Sequence, residues 1–419
     1  MTRPSATLLA ACAALACASP ARARKLDPLL GTVDTLSSPA APGSGEPHLS
    51  RSREGQVWMS WIEPRAGGGN ALEVARLTDQ TWGAPLTVAA GDSFIVNWAD
   101  RPSVVALGGG RLAAHWLVKA GPGPESSRIL MAFSNDEGRT WGKPTRPHRD
   151  SDPVQHGFVS MIPEMDGVRA IWLDGRNFVN WVPPKDPDSE EEAHKPGPDM
   201  TMRTALVHAD GSLTDEFELD GRVCDCCPTA AVLLTHGLLI AYRDRGPEEE
   251  RDIALIQRMD AKWSGSYPLH ADGWKIAGCP VNGPALDAAP ENVAAAWYTE
   301  AGDTIRVLAA ISDDLGGSFG APVRVDEGSA IGRVDVSLLE DGSALVLWLE
   351  TKGSRAQILA RRVARDGSRS PPVKIADTDP WRTSGVPRML REGKRMIFVW
   401  TEAGYPSHLR VAAARLGAR

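Results

Sequence analysis

Tyrosine is scarce in this chain, basic charge is not in excess, and beyond the N-terminus no long apolar run occurs. Only four tyrosines stand among 419 residues, so few can take part in chemistry. The formal net charge is −7, which gives the chain no overall basic footprint, and we expect no nucleic-acid partner. No apolar stretch past the N-terminus is long enough to span a bilayer, so no transmembrane segment is predicted.

The N-terminus has the pattern of an export signal. Arg3 precedes the apolar run ATLLAACAALACA, and Ala21-Arg22-Ala23 places small residues around a cleavage site. This pattern predicts a signal peptide over residues 1–23. The mature chain, residues 24–419, is then a periplasmic or secreted protein, which we expect to be a monomer. Cys12 and Cys17 make a lipoprotein the less favoured alternative.

One aromatic residue recurs at nearly regular spacing, and each time it ends a short apolar run. The seven positions are Trp61, Trp116, Trp172, Tyr242, Trp297, Trp348 and Trp400. Successive positions are 51 to 70 residues apart. A period near fifty, built of short apolar segments separated by turns, is typical of a β-propeller. We therefore predict an all-β, single-domain propeller with seven blades of four strands each.

Three parts of the chain depart from the regular repeat. The seventh repeat stops after its third strand, and we expect residues 28–36 to supply the missing outer strand and close the ring. The third repeat carries an insert over residues 182–199, rich in proline and acidic residues. Its composition favours a surface loop, with a lid over the channel mouth as the alternative. In the second repeat, residues 142–147, GKPTRP, are predicted as strand four.

Two turns of the chain carry the pattern S-x-D-x-G-x-[TS]-[WF]. They are residues 134–141, SNDEGRTW, and residues 312–319, SDDLGGSF. The pattern resembles the Asp box, or bacterial neuraminidase repeat (BNR), of the sialidase superfamily. Asp136 and Asp314 can accept N–H groups within the turn, which is a folding role. The resemblance implies a propeller, usually of six blades, so six is the alternative to seven. It also implies an active site on the opposite face.

The same resemblance implies a set of site residues. Sialidases hold the substrate carboxylate with three arginines, which suits the forked guanidinium group. Here Arg101, Arg333 and Arg388 are the candidates. The family's catalytic acid corresponds to Asp100, and its nucleophile pair to Tyr298 and Glu300. The family's Phe/Tyr-Arg-Ile-Pro motif is absent, and tyrosine is scarce. We therefore expect a glycan-directed protein, either an exo-α-sialidase-like glycosidase or a lectin-like binder of an acidic sugar.

The recurring aromatic also marks the predicted channel. Fifteen residues before it, each first strand begins, and these positions should surround the channel. They are Glu46, Arg101, Gly157, Cys227, Asn282, Arg333 and Gly385. They differ from blade to blade, which favours specialised roles. An acid follows the aromatic in six blades, and its regular repetition favours a structural cap at the strand end.

Four cysteines form a second constellation. Cys224, Cys226 and Cys227 open the fourth repeat, and Cys279 opens the fifth at the matching position. An oxidising compartment permits disulfides, for example between Cys224 or Cys226 and Cys279. The alternative is a thiolate site for copper or zinc, which would make this a metal-binding or redox propeller. The C-x-C-C spacing is not that of a zinc finger. A protein-interaction scaffold, which needs no special residues, is a third possibility.

Overall fold

The strands of the chain are arranged as seven antiparallel sheets. The computed structural model describes residues 26–123, 126–182 and 197–417, and seven sheets are found in this part of the chain. Seven blades are thereby confirmed against six. The predicted signal peptide and most of the insert at 182–199 lie outside the described residues. Within those residues, no helix has the length and apolar character needed to cross a bilayer.

The first three blades follow a short N-terminal strand, β1, at Leu30–Leu36. Blade one contains β2 Gly45–Arg51, β3 Val57–Pro64, β4 Asn70–Thr78, β5 Thr81–Trp82 and β6 Leu86–Gly91. Blade two contains β7 Ser103–Gly108, β8 Arg111–Lys119 and β9 Ser127–Ser134. Blade three contains β10 His156–Glu164, β11 Gly167–Asp174, β12 Met200–His208 and β13 Leu213–Val223.

The other four blades complete the ring. Blade four contains β14 Ala230–Leu234, β15 Gly237–Arg243, β16 Ile253–Met259, β17 Lys262–Trp263 and β18 Tyr267–Pro268. Blade five contains β19 Ala285–Ala289, β20 Asn292–Thr299, β21 Arg306–Ser312 and β22 Val323–Arg324. Blade six contains β23 Ala330–Leu338, β24 Ala344–Lys352, β25 Arg355–Val363 and β26 Val373–Thr378. Blade seven contains β27 Arg388–Glu392, β28 Arg395–Glu402 and β29 His408–Leu416. Single 3-10 turns stand at Arg176–Phe178, Ala301–Asp303 and Arg382–Ser384.

The recurring aromatics lie in the core between blades, as their spacing predicted. All seven are at most 7% exposed. A buried indole N–H needs an acceptor, and in three blades it donates to the acid two residues later. Trp61 donates to Glu63 at 3.0 Å, and Trp172 and Trp348 donate to Asp174 and Glu350 at 2.8 Å. In these blades the repeated acid is a structural partner of the aromatic.

The first strands of successive blades contact one another in order around the ring, and β2 meets β27 to complete the circle. The N-terminal strand β1 pairs with β29 on the outside of blade seven, with Val33 opposite Ala414. Leu30 and Val33 pack on the core shared by blades six and seven. The predicted closure by residues 28–36 is therefore confirmed, and blade seven has no free outer edge at β29.

Blade two corrects one prediction, because residues 142–147 do not form a fourth strand. Its sheet has three strands, and outside β9 this segment adds a single bridge between Met131 and Thr145. Pro144 and Pro147 flank that bridge and have no N–H to donate to a ladder. The two prolines limit the outer strand to one bridged residue.

The Asp boxes form the predicted turns. In the first, Asp136 accepts the Thr140 N–H at 2.9 Å and its hydroxyl at 2.7 Å, and Gly138 has φ +84°. Asp314 accepts the same two bonds from Ser318 at 2.8 and 2.7 Å. Trp141 and Phe319 pack against neighbouring cores. The boxes lie at the end of the propeller opposite to the starts of the first strands.

Candidate functional site

The starts of the first strands are joined to one another by hydrogen bonds between blades. Asp100, before β7, accepts the Phe158 N–H of blade three at 2.7 Å. Asn282, before β19, accepts the Arg333 N–H of blade six at 2.8 Å. The specialised residues expected around the channel therefore also connect neighbouring blades.

The repeated feature at these positions is a backbone shape rather than a residue type. Glu46, Phe158, Val281 and Arg333 all have φ between 49° and 58°. Left-handed backbone is unfavourable for non-glycine residues and marks local strain. The pairing of the first and second strands shifts register beside three of these residues, in blades one, three and six. A bulge thus turns the chain into the channel mouth, and the side chain there varies.

Two of the three predicted arginines come together in the channel. Arg388 Nε lies 3.4 Å from Asp335 Oδ2, and Arg101 interacts electrostatically with both residues. Arg333 is directed elsewhere. Its Nη1 donates to the Trp381 carbonyl at 3.0 Å and to further oxygens at Ser384 and Gly385. Arg333 therefore holds the segment between blades six and seven.

The Tyr298 hydroxyl donates a hydrogen bond to Glu300. Burial and the neighbouring Glu300 carboxylate hold the pKa of the Tyr298 phenol far above its usual range. Tyr298 is 5% exposed and packs edge-on against Trp274, with ring centroids 5.8 Å apart. The pair lies at the end of β20 in blade five, and neither residue lines the mouth cavity described next.

A cavity of about 610 Å³ opens at the channel mouth beside blades one and seven. Trp98, in the segment between blades one and two, lines it together with Glu46 and Arg382. The Arg333 guanidinium carbon stands 4.6 Å from the Trp98 ring centroid, and that of Arg382 stands 5.9 Å away. Arg382 is exposed, and so is its neighbour in the chain, Trp381. The mouth thus combines an aromatic face with two cations.

Two carboxyl groups at the channel mouth are buried. Burial raises the pKa of Glu46 to about 8, although the Arg101 charge opposes the shift. Burial also raises the pKa of Asp100 to about 7, against the Phe158 N–H and Arg101. Glu46 Oε2 has no hydrogen-bond partner among the described residues. At neutral pH Glu46 is largely uncharged, so the mouth is more positive than its composition suggests.

A buried polar cluster lies between blades two and three, and its residues were not predicted from the sequence to come together. His148 Nδ1 lies 3.0 Å from one oxygen of Asp150, and His156 Nε2 lies 3.1 Å from the other. The two rings stack in parallel at 4.1 Å. Parallel rings do not direct their lone pairs to one point, so a shared carboxylate suits them better than a shared metal ion. Arg176 bridges Asp150 and Asp174.

The two histidines of this cluster titrate differently. Burial disfavours both imidazolium ions. At His156 the Asp150 hydrogen bond and the Asp174 charge outweigh burial and raise the pKa, whereas at His148 burial prevails and lowers it. Of the two histidines, His156 is therefore the one that takes up a positive charge more readily. His148 lies outside the first-strand positions that the repeat marks, which is why sequence reasoning missed it.

The cysteines gather at the junction of blades four and five, as expected. Cys224 Sγ lies 3.5 Å from Cys227 Sγ and 3.7 Å from Cys226 Sγ. A disulfide bond is about 2.05 Å long, and all four cysteines of the described chain are free. The structure therefore lacks the expected disulfides. Interactions with the neighbouring Cys226 and Cys227 side chains lower the pKa of Cys224.

No protein-family model matches this chain, and no curated protein matches it. Similar solved structures include an ulvan lyase of polysaccharide lyase family PL25, at 11% identity and TM-score 0.56, with 91% of this chain and 96% of that chain covered. The polysaccharide lyase Uly1 matches at 7% identity and TM-score 0.52, covering 92% and 99%.

A neuraminidase-like protein from A/bat/Guatemala is similar at 10% identity and TM-score 0.47, over 93% and 96% of the two chains. At identities this low, the two lyase structures show the fold and nothing finer. The predicted seven-bladed propeller is borne out by the seven sheets, and the two Asp boxes of the sialidase-like pattern stand in phase with them. The chain therefore has a seven-bladed, sialidase-like β-propeller fold.

Proposed function

We propose that this protein binds an acidic glycan at the channel mouth. The observation that carries the proposal is the Trp98 ring, which lines an open cavity of about 610 Å³ with the Arg333 and Arg382 guanidinium groups close to it. A sugar ring presents C–H groups that pack on an aromatic face, and a guanidinium pairs with a carboxylate or sulfate. Binding pockets combine apolar walls with a few placed polar groups in this way.

The different surroundings of Arg333 and Arg382 support this assignment. Arg333 is 6% exposed and fixed by oxygens of the 380–385 segment, so it provides a preorganised positive field beneath Trp98. Arg382 is exposed and is available to a ligand. Arg101 and Arg388 add positive charge deeper in the channel, next to Asp335.

The fold neighbours are compatible with such a ligand. The ulvan lyase was solved bound to -[GlcA(1-4)Rha3S]-, and Uly1 is also a polysaccharide lyase. The export signal expected at residues 1–23 would bring this chain to a periplasmic or secreted location, where such glycans are met. Lectin-like binding is favoured over hydrolysis, because Tyr298 and Glu300 do not line the mouth cavity.

Isothermal titration calorimetry with glucuronic acid, N-acetylneuraminic acid and glucose tests the proposal. The two acidic sugars should bind and glucose should bind at least about tenfold more weakly. Arg382→Ala should weaken acidic-sugar binding about tenfold, which corresponds to one lost charge-assisted hydrogen bond. Arg53→Ala, an exposed arginine in the β2–β3 turn at the other end of the propeller, is the matched control and should bind normally.

Two outcomes would contradict the proposal. One is equal binding by the wild type and Arg382→Ala, and the other is equal affinity for glucose and for the acidic sugars. Release of a chromophore from an acidic aryl glycoside, lost in Tyr298→Phe and Asp100→Asn, would instead establish an exo-glycosidase with those residues and Glu300 in its catalytic set.

A further inference from the structure

The cysteine cluster is separate from the glycan site and has the geometry of a ligand set. Cys224 follows β13, and Cys226 and Cys227 lie in the turn before β14. The sulfurs of these three residues lie within 4.8 Å of one another. The Cys226 sulfur also lies within 4.8 Å of the Cys279 sulfur and of an Asp225 carboxylate oxygen. Cys226 is therefore the residue around which all the thiols meet.

The spacing of the sulfurs matches a common metal ion. In a tetrahedral site with bonds of about 2.3 Å, neighbouring sulfurs are separated by about 3.8 Å. The two Cys224 separations are 3.5 and 3.7 Å. A disulfide would require a pair to close to about 2.05 Å. The observed spacing thus needs smaller movements to admit a metal ion than to form a disulfide.

The surrounding charges independently indicate an anionic occupant. Arg243 is 2% exposed and donates to the carbonyl oxygens of Asn282, Arg251 and Tyr298. No carboxylate of the described chain is within ion-pair distance of it, and the Cys227 side chain lies close enough to interact with it electrostatically. Buried charges are ordinarily paired or bound near metals.

Arg251 is a second buried arginine beside the cluster. It is 4% exposed, and its Nε and Nη1 are buried without hydrogen-bond partners among the described residues. Its Nη2 pairs with Glu249 at 2.6 Å, a carboxylate that also serves Arg222 and Arg245. The Arg251 guanidinium group also adjoins the Cys224 side chain.

We propose that Cys224, Cys226, Cys227 and Cys279 bind one thiophilic metal ion as thiolates, with Arg243 and Arg251 as its counter-charges. Each thiol releases a proton to solvent on binding. Four thiolates leave two negative charges around a divalent ion and three around a monovalent one, so zinc, which leaves less negative charge beside the Asp225 carboxylate, is favoured over copper. Cys279 is exposed, which gives the ion a route in and out.

Metal content of the reduced full-length protein tests this proposal. After loading with zinc, or with copper(I) under reductant, mass spectrometry of the native protein and elemental analysis should find one ion per chain. Competition with a chromophoric chelator then gives the affinity. Cys226→Ser should weaken it at least about 100-fold, since the central ligand is lost. Arg251→Gln should weaken it about tenfold, because the thiolates lose a supporting charge but no ligand.

Arg258→Gln is the matched control, because Arg258 lies in the same blade and pairs with Glu164. It should bind the metal normally. Stoichiometric binding of either zinc or copper that is lost in Cys226→Ser supports the site and identifies the ion. A reduced chain that binds neither ion overturns the proposal, and so does a protein that is isolated, before any reduction, free of metal and lighter by two or four hydrogens. Sugar binding by Cys226→Ser should be unchanged, so the two proposals fail separately.

Discussion

At the channel mouth, the conformation of a single residue depends on its contacts with neighbouring blades as much as on any ligand. Glu46 shows this most clearly. Its φ is 58°, its N–H donates to Thr401 of blade seven at 3.1 Å, and its Oε2 has no partner among the described residues. Strain and an unpaired buried oxygen in one residue are features that accumulate at functional sites.

The raised pKa of Glu46 predicts how ligand binding depends on pH. Because this carboxyl has a pKa of about 8, it is neutral below that pH and gains a negative charge above it. An anionic sugar should therefore bind several-fold more weakly at pH 9 than at pH 7. Calorimetric titrations at both pH values measure this. In Glu46→Gln the decrease should become smaller, with only the contribution of Asp100 left, and a decrease of the same size in that variant would show that Glu46 is not responsible.

The acid that follows the aromatic in blade six predicts a stability effect. Glu350 is 5% exposed and accepts the Trp348 indole N–H at 2.8 Å and the Ser329 N–H at 3.0 Å. Glu350→Ala leaves these donors buried without acceptors, so the free energy of unfolding should fall by about 2–4 kcal/mol. Urea denaturation measures it. Glu340→Ala, at an exposed ion pair with Arg391, should change it by less than about 1 kcal/mol.

At the scale of elements, the segments between blades carry side chains of the channel mouth and of the buried polar cluster. The mouth takes Trp98 from the segment between blades one and two, and Arg382 from the one between blades six and seven. The segment between blades two and three contributes His148 and Asp150 to the polar cluster. Strands position these segments, and the segments, which tolerate sequence change more easily, provide the chemistry.

The junction of blades two and three should be sensitive to pH. The raised pKa of His156 stabilises the fold below pH 6.5, and this contribution is lost as the pH rises through the folded pKa. The lowered pKa of Asp150 acts in the other sense, with stability present above pH 3.8 and lost on acidification. His148, whose pKa is lowered, subtracts from stability below pH 6.5.

Asp150→Asn should therefore lower the melting temperature most near pH 6, where His156 is charged, and less near pH 9. Differential scanning calorimetry across this range measures the difference from the wild type. Asp152→Asn, which alters a carboxylate two residues away, is the control. A deficit that is independent of pH would mean that Asp150 acts only through packing.

For the whole molecule, the architecture could be predicted from the sequence because the pattern of one blade recurs seven times. A buried aromatic at a period near fifty and two Asp boxes in phase fix the blades, and the missing last strand predicts closure by residues 28–36. The site could not be predicted in the same way. Trp98 and Arg382 lie outside the repeated positions. Arg333 donates hydrogen bonds to a segment of the chain that only folding brings near it. Contacts between blades leave no periodic signal.

Ring closure makes a prediction for the molecule as a whole. Deletion of residues 1–36 removes β1 and exposes the edge of β29, and it takes away the packing of Leu30 and Val33 on the core of blades six and seven. The melting temperature should fall by several degrees, and the protein should self-associate through the open edge. Deletion of residues 1–27 keeps β1 and is the control. Gel filtration and calorimetry compare them, and identical behaviour would show that closure contributes little.

The most direct test of the glycan proposal is a crystal structure of the protein soaked with glucuronic acid. The account predicts a sugar ring over Trp98 with its carboxylate within hydrogen-bond distance of Arg382. A second cavity of about 680 Å³, lined by Arg51, Asp287 and Arg391, lies toward the other end of the channel. Sugar bound only there, or a mouth that stays empty at saturating ligand, would contradict the assignment.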